Sequence, residues 1–289
     1  MNYFIIIGVV NMIVDEHVHL GGLFQDTDYF IKCLDESNID FVLATPYMFE
    51  DKNIPRTLKA KRIPPWLAGT RLAMELVARI MRSKKFRKRY IDYPPNDYVA
   101  EMAKKYPERI YGVYWVNPNL EEISKIERYL THENFVAIKF HQVLYPCELN
   151  DKSFKFFDLA NEYKVPVFIH VDSLQEVRTI MKYMEKKSDL NVIMAHLNYF
   201  EEVAEEISDF PNMYFDISPL YAHKDDKLIN AVNKVGADRL LFGSDAPCPG
   251  FQKYAVNRIR RLNIPEEDKN KILGDNIIRL ISKRTTIRN

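Results

Sequence analysis

The sequence predicts an α/β protein, a single closed barrel of eight parallel strands with a helix after each strand. Short apolar runs rich in β-branched residues alternate with amphipathic segments over almost all of the 289 residues. Strands that are apolar throughout are typical of a parallel sheet covered on both faces by helices. Eight such units fit a (β/α)8 barrel better than an open sheet. The first strand is not followed by a GxGxxG motif, which argues against a dinucleotide-binding sheet.

The elements follow from this alternation. The predicted strands are Met12–His17, Phe41–Thr45, Ile110–Val116, Phe135–Phe140, Val167–Val171, Val192–Ala195, Met213–Asp216 and Leu240–Gly243. The predicted helices between and after them are Asp28–Ser37, Leu120–Leu130, Ser153–Tyr163, Ser173–Lys186, Phe200–Ser208, Asp225–Val235 and Gly250–Leu262.

One unit departs from this regular alternation, between the second and third strands. Residues 46–95 form an insertion of roughly 50 residues, where the loop between a strand and a helix normally has about 2–6. The insertion contains a predicted helix near Trp66 to Met81, followed by a basic run that ends at Arg89. Loops that follow strands lie on the catalytic face of a barrel. We therefore expect a helical lid or dimerisation segment within one domain, 1–289, and a homodimer through this segment is an open alternative.

Composition limits the class of partner and the compartment. The formal net charge is +1, which gives no reason to expect nucleic acid or an anionic membrane as a partner. The basic run up to Arg89 is usually a solvated helix face, although it could also attract an anionic substrate. Cys33, Cys147 and Cys248 are too widely spaced for a disulfide framework, so we expect a reducing, cytoplasmic location.

The N-terminal segment from Tyr3 to Val14 is strongly apolar. It is too short to span a bilayer, has no basic n-region and runs directly into Asp15 and Glu16. A buried strand, preceded by a short extra strand or a disordered leader, accounts for it better. Translation from Met12 is an alternative, since the barrel pattern begins there.

Histidine and aspartate residues fall at the carboxyl ends of the predicted strands. His17 and His19 are two residues apart, so their side chains point to the same side of a strand. His170, His196 and Asp245 end three further strands. These ends meet on one face of a barrel, and imidazoles with a carboxylate suit Zn²⁺ and similar divalent ions. The combination therefore predicts a metal site, although each histidine alone would be weak evidence.

At these residues the sequence resembles the amidohydrolase superfamily, and within it the amidohydrolase-related branch that includes aminocarboxymuconate-semialdehyde decarboxylase. The matching segments occur in the family's order along nearly the whole chain: IVDEHVHL (13–20), AIKFH (137–141), PVFIH (166–170), VIMAHL (192–197), YFDIS (214–218), RLLFGSDAP (239–247) and ILGDN (272–276).

The resemblance implies a metal-dependent hydrolase barrel with a role for each matching position. His17, His19, His170 and Asp245 would bind one divalent metal ion, with Zn²⁺ expected and Mn²⁺, Fe²⁺ or Co²⁺ as alternatives. Asp245 would also take a proton from the metal-bound water, and His196 would act as a second general acid or base. In binuclear superfamily members a carboxylated lysine on the fourth strand bridges two ions. We expect Lys139 to be uncarboxylated and held in a salt bridge.

Three further residues are candidates for substrate binding. His141 ends the fourth strand, while Tyr47 and His223 lie on loops that follow the second and seventh strands and should face the site. Loop residues of this kind are as often structural as functional. Tyr221 lies on the same loop as His223, and Cys248 has no base beside it that would make it a nucleophile.

Two enzyme functions use the same residues. The first is hydrolysis, in which a metal-bound hydroxide attacks the amide, lactone or ester carbonyl of a small, anionic substrate. The second is non-oxidative, metal-dependent decarboxylation of a small carboxylic acid. A catalytically silent binding barrel is disfavoured because every expected ligand position is filled, and nucleic-acid binding is disfavoured because no stacking platform accompanies the basic run.

Overall fold

The computed structural model describes residues 12–21, 24–47, 94–132, 134–220, 223–247 and 252–282. Its eight strands pair in parallel and in sequence order, as predicted. They are β1 (Val14–Leu20), β2 (Phe41–Pro46), β3 (Ile110–Trp115), β4 (Phe135–His141), β5 (Val167–His170), β6 (Val192–Met194), β7 (Met213–Asp216) and β8 (Leu240–Leu241). The predicted (β/α)8 barrel is therefore confirmed.

The chain returns from β8 to β1 and so closes the barrel. The amide of Glu16 donates to the carbonyl of Phe242, and the amide of His19 donates to that of Ala246. The amide of Asp245 in turn donates to the carbonyl of His17 at 2.8 Å. The segment after β8 is thus tied to β1 in the stretch that carries both histidines.

Helices of the outer layer follow the strands. They are α1 (Thr27–Ser37), α2 (Asn96–Lys105), α3 (Ile123–His132), α4 (Asp151–Glu162), α5 (Leu174–Met184), α6 (Phe200–Val203), α7 (Asp225–Val235), α8 (Gln252–Arg261), α9 (Glu266–Asn270) and α10 (Asn276–Ser282). Polar side chains fix several helix starts. In α5, for example, Ser173 and Glu176 form a capping box that satisfies amide groups of the first turn.

The helices differ from the prediction at three places. The predicted helix Phe200–Ser208 is a short helix, α6, followed by a 3-10 turn at Ile207–Asp209. Helix α2 and the C-terminal helices were not predicted as elements, although the segment 272–276 was among the motifs that carry the family resemblance. That segment lies in a π-helical turn, Lys271–Asp275, directly before α10.

The C-terminal helix closes the barrel at the amino ends of the strands, opposite the carboxyl ends that form the catalytic mouth. Ile277 and Leu280 of α10 belong to the same buried cluster as inward-facing strand residues such as Phe41 and Phe168. Asn276 is fully buried, and its amide donates to the carbonyls of Ala237 and Leu240.

Gly274 allows the closest approach in this region. A Cβ atom at this position would lie 2.0 Å from the carbonyl oxygen of Met12, so only glycine fits without moving the backbone.

Nearly all of the inserted segment 46–95 lies outside the described residues, as do residues 1–11. The lid, the dimer and the single-domain boundaries therefore stay predictions. Within the described part of the chain, no helix is both long and apolar enough to cross a membrane.

Candidate functional site

Alternate residues of the strands point into the barrel, and at the carboxyl ends these residues are polar. On β4 the inward positions pass from Ala137 to Lys139 and His141, and on β5 from Phe168 to His170. On β7 Tyr214 is followed by Asp216. The barrel interior is therefore apolar at its base and carries ionisable groups at its catalytic mouth, where the strand-end residues predicted from the sequence converge.

Three ligand atoms come together at the junction of β1 and the segment after β8. The Oδ1 atom of Asp245 lies 3.5 Å from His17 Nε2 and 3.4 Å from His19 Nε2. These three residues form a group whose ligand atoms all lie within 4.8 Å of one another. A second such group, made of His17, His196 and Asp216, is a hydrogen-bonded network described below.

Hydrogen bonds on the far side of each ring fix the tautomer of both histidines. Nδ1 of His19 lies 3.2 Å from the carbonyl oxygen of Pro46, which can only accept, so the proton is on Nδ1. Nδ1 of His17 lies 3.0 Å from Oδ2 of Asp216 and donates to it. Both Nε2 lone pairs therefore face the carboxylate of Asp245, an arrangement that is repulsive unless a cation lies between them.

The environment keeps these imidazoles neutral and Asp245 ionised. Burial, and next the charge of Lys139, lower the pKa of both His17 and His19. Burial would raise the pKa of Asp245, but attraction to a proton carried by the surrounding imidazoles, His17 first, lowers it to about 2, so a proton in this cluster resides on an imidazole before it resides on Asp245. Neutral imidazoles and an ionised carboxylate are the protonation states that a divalent metal ion requires.

Asp245 is aimed into this position by strained backbone and by a buried carboxyl group. Its φ angle of 58° lies in the left-handed region, which costs free energy for a residue other than glycine. Asp15 accepts hydrogen bonds from the amide of Ser244 at 2.8 Å and from Gln252 Nε2 at 2.9 Å. Asp15 thus anchors the residue before Asp245 and links it to helix α8.

Asp216 and Ser218 join His17 to His196, and neither residue was predicted to have a role. The hydroxyl of Ser218 donates to Oδ2 of Asp216 at 2.6 Å, the same oxygen that accepts from His17. Nδ1 of His196 lies 3.0 Å from the carbonyl oxygen of Ser218 and donates to it. This hydrogen bond favours the tautomer of His196 with its lone pair on Nε2, and the residue is also in the left-handed region, at φ 63°.

Lys139 contacts His17 directly. Its Nζ lies 2.6 Å from Nε2 of His17, so an imidazole takes the place of the carboxylate partner expected from the sequence. Burial lowers the pKa of Lys139 to about 8, against the raising effect of Asp245, Asp216 and Glu16. The ammonium group of Lys139 thus lies against one of the three converging ligand atoms, Nε2 of His17.

His170 lies beside the group formed by His17, His19 and Asp245 and is not a member of it. Its ring stacks on that of His141, with centroids 4.2 Å apart, and meets the ring of His196 edge-on at 4.8 Å. The structure therefore brings three of the four predicted metal ligands together and places the fourth next to His196, which itself stacks on His17 at 5.2 Å.

The family model described as Amidohydrolase matches residues 14–282. The chain belongs to the amidohydrolase family. No curated protein matches the sequence.

Solved structures resemble this amidohydrolase over almost their whole length. A 2,6-dihydroxybenzoate decarboxylase from Rhizobium is 18% identical, with a TM-score of 0.61 over 94% of this chain and 99% of that one. A dihydroxybenzoic acid decarboxylase from Polaromonas sp. JS666, with bound manganese and the inhibitor 2-nitroresorcinol, is 16% identical, with a TM-score of 0.60 over 94% and 97%. A 4-oxalomesaconate hydratase from Rhodopseudomonas palustris is 15% identical, with a TM-score of 0.62 over 95% and 97%.

The amidohydrolase places the predicted substrate-binding residues around this centre. His141 is buried and its Nδ1 has no hydrogen-bond partner within the described chain. Tyr47 is buried beside Gly21, one residue beyond the carbonyl that fixes His19. Burial lowers the pKa of His223 to about 4, and its other influences include Lys227 and His196. Tyr221 and Cys248 lie outside the described residues.

Glu16 is a further buried group that the sequence analysis did not single out. Both carboxyl oxygens are buried without a partner among the described residues, and burial, then the charge of Asp216, raises the pKa of Glu16 well above its usual range. The glycine at position 243 makes room here, because a Cβ atom would lie 2.7 Å from Oδ1 of Asp216 and from Cβ of His17. An acidic residue inside an apolar strand was the available sequence signal.

Proposed function

We propose that this amidohydrolase is a metal-dependent hydrolase that uses an activated water to attack an amide, lactone or ester carbonyl of a small, anionic substrate. The observation that carries the proposal is the convergence of two unprotonated Nε2 atoms on the ionised carboxylate of Asp245. Such a site holds a cation and also supplies a proton acceptor beside it, which is the pair that hydrolysis of a carbonyl compound needs.

The donor set fits one divalent ion. We propose that His17, His19 and Asp245 hold it, with His170 as a further ligand, and that the ion is Zn²⁺. Mn²⁺, Fe²⁺ and Co²⁺ suit the same donors, and manganese is bound in the neighbour from Polaromonas. When bound, a divalent ion lowers the pKa of a water molecule towards neutrality and polarises a carbonyl oxygen.

The chain's own groups then handle the protons. Oδ1 of Asp245, ionised at neutral pH, accepts the proton of the attacking water. Nε2 of His196 faces the site while its Nδ1–H is held by the carbonyl of Ser218, so His196 can take up a proton and deliver it to the leaving group. Asp216 fixes the Nδ1–H of His17, 3.0 Å from its Oδ2, and stabilises the positive charge that His196 acquires, because the same oxygen lies 3.5 Å from Nδ1 of His196.

Decarboxylation of a small carboxylic acid is the second candidate. It is favoured by the neighbours, since two of the three structures described above are decarboxylases of dihydroxybenzoic acids. The same residues would serve, with Asp245 or His196 delivering a proton to the carbon that loses carbon dioxide.

Metal analysis and product analysis test the proposal. Wild-type protein should contain about one equivalent of metal ion, and His170→Ala should lose most of it. Lactones, esters and amides, and a parallel set of aromatic carboxylates, are then incubated with the loaded protein. Release of an acid and an alcohol or amine supports hydrolysis, whereas carbon dioxide release from the carboxylates replaces hydrolysis by the second candidate. Protein that takes up no metal after reconstitution refutes both.

A further inference from the structure

Two neighbouring strands each end in a side chain with a buried nitrogen atom that has no partner among the described residues. These atoms are Nε1 of Trp115, at the end of β3, and Nδ1 of His141, at the end of β4. Trp115 is 1% exposed and His141 is 6% exposed. Buried polar groups are nearly always hydrogen-bonded, so two orphaned nitrogens on neighbouring strands call for a ligand that would complete them.

The two side chains form one wall of the site. Their rings are nearly parallel, with centroids 5.6 Å apart and an interplanar angle of 18°. Trp115 also lies 5.5 Å from the ring of His19, which faces Asp245, and Nζ of Lys139 lies 5.3 Å from the indole ring. The orphaned atoms are therefore close to the cation site but belong to residues outside its ligand group.

The chemistry of the two atoms defines what would bind. An indole Nε1–H can only donate, so its partner has to be an acceptor oxygen. An imidazole donates through a protonated ring nitrogen, so the buried Nδ1 of His141 can hold the same kind of acceptor. Lys139 adds positive charge beside the indole, which favours an anionic acceptor.

We propose that Trp115 is a substrate-binding residue whose Nε1–H, together with Nδ1 of His141, holds a carboxylate oxygen of the substrate. The inference rests on the proposed function, because it assigns the anionic end of a substrate whose reacting group lies at the cation site. Trp115 then determines specificity: substrates with a carboxylate at this point are selected over those without one, since the latter leave both nitrogens unsatisfied.

Fluorescence tests the contact without relying on turnover. The chain contains two tryptophans, Trp66 and Trp115, so Trp66→Phe leaves Trp115 as the sole indole. Acetate and benzoate are titrated into the metal-loaded variant, with benzamide as the uncharged control. We expect a saturable change in Trp115 emission with at least one carboxylate and a much weaker response to benzamide. No saturable response to either carboxylate overturns the proposal.

A matched pair of variants tests the hydrogen bond. Trp115→Phe keeps an aromatic ring but removes the donor, while Tyr114→Phe changes the adjacent residue, whose hydroxyl donates to Glu121 on the outer side of the strand. Calorimetry should give about a tenfold to hundredfold weaker carboxylate affinity for Trp115→Phe and an unchanged affinity for Tyr114→Phe, both with normal metal content.

Equal carboxylate affinity in wild type and Trp115→Phe would mean that the anion binds elsewhere, for example on the metal ion alone, and would overturn the proposal. Failure of the proposed function has a different signature. In that case the Trp115 contact survives both measurements while neither hydrolysis nor metal-dependent turnover is found.

Discussion

Asp216→Asn is the substitution that tests the site most directly, because it removes the negative charge of the carboxylate and leaves the volume of the side chain almost unchanged. In the wild type Oδ2 of Asp216 accepts from Nδ1 of His17 and from the hydroxyl of Ser218, while Oδ1 accepts from the amide of Ser218. An asparagine can keep its oxygen on the Ser218 amide. Its NH₂ group then faces His17, whose Nδ1 has to become an acceptor.

The expected magnitude follows from that tautomer change. Moving the proton of His17 to Nε2 removes the lone pair that faces Asp245, so a metal ion loses one of its ligands in the favoured state. Loss of a carboxylate that orients a ligating histidine typically costs 10–100-fold in metal affinity, about 1.4–2.8 kcal/mol. We expect a Zn²⁺ affinity lower by this factor and a corresponding loss of activity at limiting metal.

The assay is competition for Zn²⁺ against a chromophoric chelator, with the metal-free proteins shown to be folded by circular dichroism. Asp158→Asn is the control, since it also removes one carboxylate, but on the outer surface where Asp158 pairs with Tyr183 and Lys187. A Zn²⁺ affinity for Asp216→Asn within twofold of both wild type and this control, in a folded protein, would refute the reasoning.

Three further outcomes are expected. His196→Gln should keep its metal ion but lose about 10²–10⁴-fold in kcat, measured with any substrate found, because Nε2 is the second proton-transfer group. Lys139→Met should retain one equivalent of metal ion, and a metal titration should show tighter binding, because the substitution removes a cation 2.6 Å from Nε2 of His17. Weaker binding and the loss of a second equivalent would instead indicate a bridging, carboxylated lysine. His223→Asn should make the free energy of unfolding less dependent on pH in the acid range. The pKa of His223 is about 4 in the folded protein and 6.5 ordinarily, so the stability that the neutral imidazole contributes above pH 6.5 is lost as the pH falls towards 4. Denaturant unfolding measures the free energy of unfolding at pH 7.5 and at pH 4.5. The decrease between these two pH values should be about 2–3 kcal/mol smaller for the variant than for the wild type, and equal decreases would contradict this.

The strands could be predicted because both faces of each are buried, which leaves an uninterrupted apolar run in the sequence. The bounds of the helices were predicted less accurately than those of the strands. Phe200, Val203 and Ile207 keep a helical spacing and are all buried, yet the chain bends after Val203 and delivers Ile207 from a 3-10 turn. Spacing records which side chains reach the core, so it cannot separate a continuous helix from a broken one. Helix α2 was missed because it begins at the edge of the long insertion, where no strand precedes it.

Site residues could be predicted where one strand carries the signal, and not where two distant strands meet. The histidines at 17 and 19 follow from their spacing and their place at a strand end. The partner that fixes His17, Asp216, is 199 positions away and becomes a neighbour only when the barrel closes. The sequence did contain a signal for it, an aspartate ending an apolar strand with a serine two residues later, but the chain of contacts through Ser218 to His196 requires coordinates.

The charges at the mouth bear on the expectation that Lys139 is uncarboxylated and that the site holds a single metal ion. Asp245 is held ionised by its neighbours, whereas Glu16 is held neutral by burial and by Asp216. Lys139, with a pKa of about 8, balances part of the remaining negative charge, and it does so on the nitrogen of His17 that a metal ion would use. An ion entering the site therefore has to displace this ammonium group, which favours a single ion and a lysine that moves aside. A carboxylated lysine would instead add negative charge among carboxylates that are already buried, and only a second divalent ion could compensate for it.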